Sequence, residues 1–275
     1  MPISTANGVP VYYEVHGKGF PVLMITGMAS VMDWFHYTIP AFVEAGFQVI
    51  AQDLRGSNRD GITAPLRPYS TEDMARDSIG ILDDLGIERA HIFGMSMGGI
   101  VSQVIAVRHS ERVERLIISA NGLARMPEDV KKMALGQVDD GSPISEMHSR
   151  KASREEQLAS SIKLAFTPDI ASYHPERLQF FKDVIFTRHG PLDVTRKAQV
   201  IAACEHDFLD ELANIKARTL LIVGELDHVN GGQIGEMANR IPDNECRILP
   251  GMAHGFVLEH ADEINEITLT FLKRP

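Results

Sequence analysis

Three short motifs in this chain carry residue types that could together cleave an acyl bond. Ser96 sits in Gly94-Met95-Ser96-Met97-Gly98-Gly99, Asp227 in Gly224-Glu225-Leu226-Asp227, and His254 in Gly251-Met252-Ala253-His254-Gly255. A serine hydroxyl is a weak nucleophile until a neighbouring base takes its proton, and the base needs a third group to orient it. Ser96 falls between a strand-like run at 91–93 and a helical pattern beginning near Met97. A sharp strand-to-helix turn there would hold the hydroxyl at its tip. The flanking glycines leave room for neighbouring chain, and the free amides at the helix start suit a developing negative charge. The competing reading is an incidental serine in a glycine-rich turn.

The acid and the base come later in the chain. The apolar run 220–223 leads into Asp227 and the run 245–249 leads into His254. Both should reach the edge where loops gather at the carboxyl ends of the strands. Glu225 is the rival acid in the first of these loops, next to His228. The segment Ser119-Ala120-Asn121, after the preceding strand, offers no acid. Among 11 histidines, His254 differs in following a strand, sitting in a glycine-flanked loop and preceding the last helix. An oxyanion hole needs two backbone N–H groups. Met97, immediately after Ser96, would supply one, and Met28, in the loop Thr26-Gly27-Met28-Ala29-Ser30, the other.

These residues need a scaffold to bring them together. Apolar runs at 22–26, 47–53, 91–94 and 113–119 alternate with helical patterns at 34–45, 71–85 and 97–108. That alternation suits a mainly parallel sheet with crossover helices. It resumes with strands at 218–223 and 245–249 and helices at 232–241 and 261–272. Runs at 3–6 and 9–15 flank Asn7-Gly8, a dipeptide that fits a two-residue hairpin turn. Thr71 with Asp73 and Met74 reads as a helix start, and Leu85-Gly86 as its end. The expected fold class is α/β, a mostly parallel central sheet flanked by helices. Residues 1–122 and 213–275 form its core domain and residues 123–212 an inserted helical cap. The cap carries Met126, Met133, Met147, Phe166, Phe180, Phe181 and Phe186, which suggest either an apolar or aromatic substrate of modest size or the packing of the cap itself. Arg125, His148 and His174 are its candidate polar contacts.

Composition narrows the function classes. With 44% hydrophobic and 23% charged residues in 275, wholesale disorder is excluded. No apolar run approaches the roughly 20 residues of a membrane-spanning helix, so no membrane partner is expected. The start MPISTANG lacks a signal-peptide pattern, so a cytoplasmic protein is expected. There are 27 Lys+Arg against 37 Asp+Glu, and no basic cluster longer than Lys131-Lys132. Nucleic acid is therefore not an expected partner. Cys204 and Cys246 form no metal-binding or redox spacing and read as two reduced core thiols. Neither a metal nor an organic cofactor is expected. The oligomeric state stays open, a homo-oligomer included.

With these residues in view, the chain resembles the α/β-hydrolase superfamily over nearly its whole length. The likeness rests on GMSMGG at Ser96, GELD at Asp227 and GMAHG at His254, in the order serine, acid, histidine. Asp53-Leu54-Arg55-Gly56 and Trp34 support it. His254-Gly255-Phe256, His260-Ala261-Asp262 and Asn265 resemble the cofactor-free haloperoxidase/perhydrolase and esterase branch in particular. Thr26-Gly27 stands where that family usually has His-Gly, and Asn58 where it has a second glycine. Ser96 excludes the elbow-aspartate chemistry of haloalkane dehalogenases and epoxide hydrolases. Met95 and Gly255 stand where C–C bond hydrolases of ring-cleavage products usually carry Asn and Trp. The resemblance implies a serine hydrolase of small to medium carboxylic esters, with Ser96, His254 and Asp227 as its triad. Perhydrolysis (haloperoxidase-type) or lactone hydrolysis by the same residues, a less favoured C–C bond hydrolysis of ring-cleavage products, and a ligand-binding protein on a hydrolase scaffold are the alternatives.

Overall fold

The computed structural model describes residues 3–28, 30–57, 68–135, 137, 153–188, 192–228 and 231–274. Asn58, Met147 and His148 lie outside the described residues. The strands are β1 (Ile3–Ser4), β2 (Val11–Gly17), β3 (Phe20–Ile25), β4 (Phe47–Gln52), β5 (Ala90–Met95), β6 (Val113–Ser119), β7 (Arg218–Gly224) and β8 (Asn244–Leu249). They form one sheet in the order β1-β2-β4-β3-β5-β6-β7-β8. From β4 to β8 every pairing is parallel, while β2 runs antiparallel to both β1 and β4. Strands apolar at nearly every position must be covered on both faces, and β5 is buried along its whole length.

Helices supply that cover. One face of the sheet packs against α1 (Thr38–Glu44) through Phe42. The other packs against α2 (Thr71–Asp84) and α3 (Met97–Arg108) through Met74, Ile81, Val101 and Val104. Between β6 and β7 the chain forms α4 (Glu128–Ala134), α5 (Arg154–Ala165), α6 (Ile170–Tyr173), α7 (Pro175–Phe180) and α8 (Leu192–Glu205). A π-helical turn, Phe181–Ile185, runs on from α7. After β7 come α9 (Ile234–Arg240), α10 (Phe256–Glu259) and α11 (Ala261–Lys273). Among the described residues of this insertion, Phe166, Phe181 and Phe186 join the hydrophobic cluster on the α1 face, whereas Ala202, Ala203 and Phe208 join the cluster on the α3 face. The insertion thus straddles the sheet and shares both of its clusters.

Several local expectations need correction. The helix expected over 34–45 is a 3₁₀ turn, Met32–Phe35, followed by α1. Pro40 explains the break. In the first turn of a helix its missing N–H costs nothing, but inside a continuous helix it would clash with the preceding turn. The first connection is a six-residue loop between Ser4 and Val11, holding a turn closed by Gly8 N–H to Thr5 O at 2.8 Å, not a two-residue hairpin. Asn7 is drawn out of that role because its side-chain amide donates to Asp73 O and Asp77 Oδ1. Helix α2 starts at Thr71, as expected. Ser70 caps it and exchanges hydrogen bonds with Asp73 in a capping box. Cys204 is buried, but Cys246 is exposed on the edge strand β8 and is not a core thiol.

Candidate active site

The site forms where the sheet connections diverge. From β3 the chain crosses to β4 on one side, while from β5 it crosses to β6 on the other. Such a switch leaves a crevice beyond the carboxyl ends of the two neighbouring strands. Ser96 stands there, directly after β5, with φ 55° and ψ −119°. A non-glycine residue is strained in that region, and the strain persists only where the surroundings over-determine it. They do so here. The Ser96 amide donates to Ser119 O on β6 at 2.8 Å, and the Ser96 carbonyl accepts from the amides of Gly99 and Ile100 at the start of α3. The flanking glycines are demanded by close approach. A Cβ at Gly94 would stand 2.2 Å from Gly98 O, and one at Gly98 would stand 2.1 Å from Ile25 O.

His254 and Asp227 converge on this serine. Because β7 and β8 lie side by side, the loops after them meet. Leu226 N–H donates to Met252 O and Gly251 N–H to Glu225 Oε2, each at 2.9 Å. Glu225, the rival acid, is thereby committed to the loop. His254 Nδ1 lies 2.8 Å from Asp227 Oδ2, and its Nε2 lies 3.0 Å from Ser96 Oγ. With the Nδ1–H tautomer, the imidazole donates to the carboxylate and accepts from the hydroxyl. The Asp227 side chain is fully shielded from solvent. This arrangement can move a proton from Ser96 to His254 and stabilise the resulting cation.

The other anticipated residues divide. Met97 heads α3 and is buried, and its amide is among those with no acceptor inside the helix. Gly27 passes so close to Ser96 that a Cβ on it would lie 3.2 Å from Ser96 Cβ, which places Met28 one residue beyond the contact. Arg125 and His174 are not drawn to the serine. The Arg125 guanidinium pairs with Asp207 at 2.8 Å and Asp210 at 2.9 Å, and His174 Nδ1 pairs with Glu176 at 3.0 Å. An aromatic cluster abuts the histidine loop instead. Trp34 packs on Phe166 and Phe181 with ring centroids 6.0 and 5.5 Å apart, and it crowds Gly255, the residue after His254.

Sequence reasoning gave Asp53 no role in the site and missed Glu259. Asp53 Oδ1 accepts the Met32 amide at 2.7 Å, which anchors the segment that follows Met28. Glu259, fully buried five positions after His254, receives hydrogen bonds from the Thr167 amide and from the hydroxyls of Thr167 and Tyr173. Burial and the Glu259 carboxylate push the Tyr173 hydroxyl up to about 12, so it stays a donor. The available signal was an acid closing the apolar run Phe256-Val257-Leu258. Among the described residues, no cluster of three or more His, Cys, Asp or Glu could hold a metal ion.

The chain belongs to the alpha/beta hydrolase fold family, whose model matches residues 21–261. It is similar to a protein of Azorhizobium caulinodans described as a putative carbamate hydrolase RutD, with 29% identity covering 98% of each chain. Among solved structures it resembles a bromoperoxidase from Bacillus anthracis at 26% identity and a TM-score of 0.81, covering 99% of both chains. The enol-lactonase of Burkholderia xenovorans LB400 shares the fold at 23% identity and a TM-score of 0.83, covering 99% of this chain and all of that one.

Proposed function

We propose that this protein is a serine hydrolase that cleaves carboxylic esters of small to medium apolar or aromatic substrates through an acyl-enzyme. The observation that carries the reading is the continuous line from Asp227 Oδ2 through His254 to Ser96 Oγ, with steps of 2.8 and 3.0 Å. His254 Nε2 accepts the Ser96 proton as Oγ attacks the ester carbonyl, and Asp227 holds the imidazole tautomer and stabilises its cation. The amides of Met97 and Met28 take up the oxyanion, each lowering the barrier by about 3 kcal/mol. His254 then returns the proton to the departing alcohol. Water, deprotonated by the same histidine, attacks the acyl-Ser96 carbonyl and releases the acid.

The segment 123–212 acts as a cap over this crevice. The Trp34–Phe166–Phe181 cluster beside Gly255 supports an apolar or aromatic acyl or alcohol group. So does the engagement of Arg125 and His174 with carboxylates of their own. Hydrolysis of p-nitrophenyl esters from acetate to octanoate tests the reading. Chain-length-dependent turnover by the wild type, lost in Ser96→Ala, is the expected result. No turnover above that of a folded Ser96→Ala variant refutes it.

A further inference from the structure

The turn that follows His254 carries a second set of contacts that the proton transfers above do not use. Most of them lead to one arm of the insertion, α5 through α7, and the rest close the turn on itself. Gly255 is held from both sides. Its amide donates to Ala165 O at 2.5 Å, and its carbonyl accepts the amides of Leu258 and Glu259 at 2.9 and 3.0 Å. Arg177 reaches in from α7 and donates to Leu258 O and Glu259 O at 3.3 and 2.8 Å, with its other arm on Asp262 at 2.8 Å. The Glu259 carboxylate closes the set through the Thr167 amide and the two hydroxyls of Thr167 and Tyr173.

A carboxyl group is an expensive choice for a packing position. Burying it is unfavourable unless donors meet it in a defined geometry, and an apolar side chain would fill the same space without that demand. What the carboxyl supplies is register. Its side-chain donors all come from Thr167 and Tyr173, while its own amide closes on Gly255, the immediate neighbour of His254. We propose that Glu259 is a positioning residue for His254. By locking the α5–α7 arm onto the turn after the histidine, it holds the imidazole in line between Asp227 and Ser96. The inference rests on reading His254 as the base of the reaction.

Trp34, the only tryptophan in the chain, gives an independent readout. It crowds Gly255 and packs on Phe166, next to Thr167, so its accessibility reports the same docking. The experiment compares the full-length wild type with Glu259→Gln and Tyr173→Phe. The first variant turns an acceptor into a donor, and the second removes one hydroxyl while leaving the carboxylate in place. Two quantities are measured: the rate of Ser96 labelling by a fluorophosphonate across pH, and acrylamide quenching of Trp34.

The labelling rate should fall about tenfold in Glu259→Gln and about threefold in Tyr173→Phe, a fraction of the 10²–10⁴ that a general base contributes. Its pH midpoint should differ from that of the wild type, and Trp34 quenching should rise with it. Wild-type labelling rate and midpoint in either folded variant overturn the inference, even if Trp34 becomes more accessible. If Glu259→Gln does not fold, Tyr173→Phe decides alone. A wild-type Ser96 that resists the fluorophosphonate sinks the nucleophile-and-base reading and this inference with it. Ready labelling without ester turnover removes only the ester substrate, and the variants still decide the role of Glu259.

Discussion

Gly98→Ala would press on the tightest point of the elbow. The added Cβ would stand 2.1 Å from Ile25 O and 2.6 Å from Thr26 O, where Cβ contacts under 3.0 Å are essentially unknown. Both oxygens belong to backbone at the end of β3, so no side-chain rotation relieves the clash. The start of α3 must move away from β3 by about 1 Å, and overpacking of that kind costs about 1–3 kcal/mol. The displacement falls on Met97 and Ser96 on one side and on the Thr26–Met28 backbone on the other. A misplacement of about 1 Å there should cost about 10²-fold in rate. Gly235→Ala is the matched control. It lies in α9 with nothing within 4 Å of the added Cβ, so it should stabilise the protein by about 0.5–1 kcal/mol with no change in rate. Fluorophosphonate labelling and thermal unfolding of both variants provide the assay. A Gly98→Ala protein labelled within about twofold of the wild-type rate, at unchanged Tm, would refute the argument that this contact sets the geometry.

Two buried histidines should make the fold sensitive to acid. Burial pushes His206 down to about 3, while burial together with the nearby Arg115 and Arg89 pushes His91 down to about 4. Both folded values lie below the ordinary 6.5, so the unfolded chain takes up the protons first. The stability each contributes is complete above pH 6.5 and is lost as the pH falls, at about 1.4 kcal/mol per pH unit and per group. Urea unfolding at pH 7 and pH 4.5 should show the wild type losing about 2–3 kcal/mol more than His206→Gln, and equal losses would contradict the account. Arg55 and Asp77 form a buried ion pair at 2.5 Å, each side chain 3% exposed. Asp77→Ala should cost about 3–5 kcal/mol by leaving the guanidinium buried and unpaired, whereas Arg55→Met with Asp77→Leu should recover most of that loss. Chemical denaturation of the three proteins checks both figures.

Much of this molecule was legible because the signals were local. Strand β5, the elbow and α3 follow one another without a break, and each announces itself through hydrophobic period or glycine spacing within a dozen residues. The loops carrying Asp227 and His254 follow apolar runs for the same reason, and the α/β class follows from the alternation of those runs. Where the sequence misled, a nearby competitor acted: Pro40 divided the expected first helix, and the bonds of Asn7 to α2 replaced a hairpin turn. The exposure of Cys246 could not be read because it depends on β8 being an edge strand, a property of the sheet order.

Tertiary structure alone decided where the polar side chains point. Arg125 finds Asp207 and Asp210 more than 80 positions away. Glu259 meets Thr167 and Tyr173 across 92 and 86 positions. No periodicity encodes such pairs. A hydrophobic pattern states which face of an element is buried, but the partner of a buried charge is set only when distant elements pack, because the cost of leaving it unpaired is paid in the folded interior and nowhere along the chain.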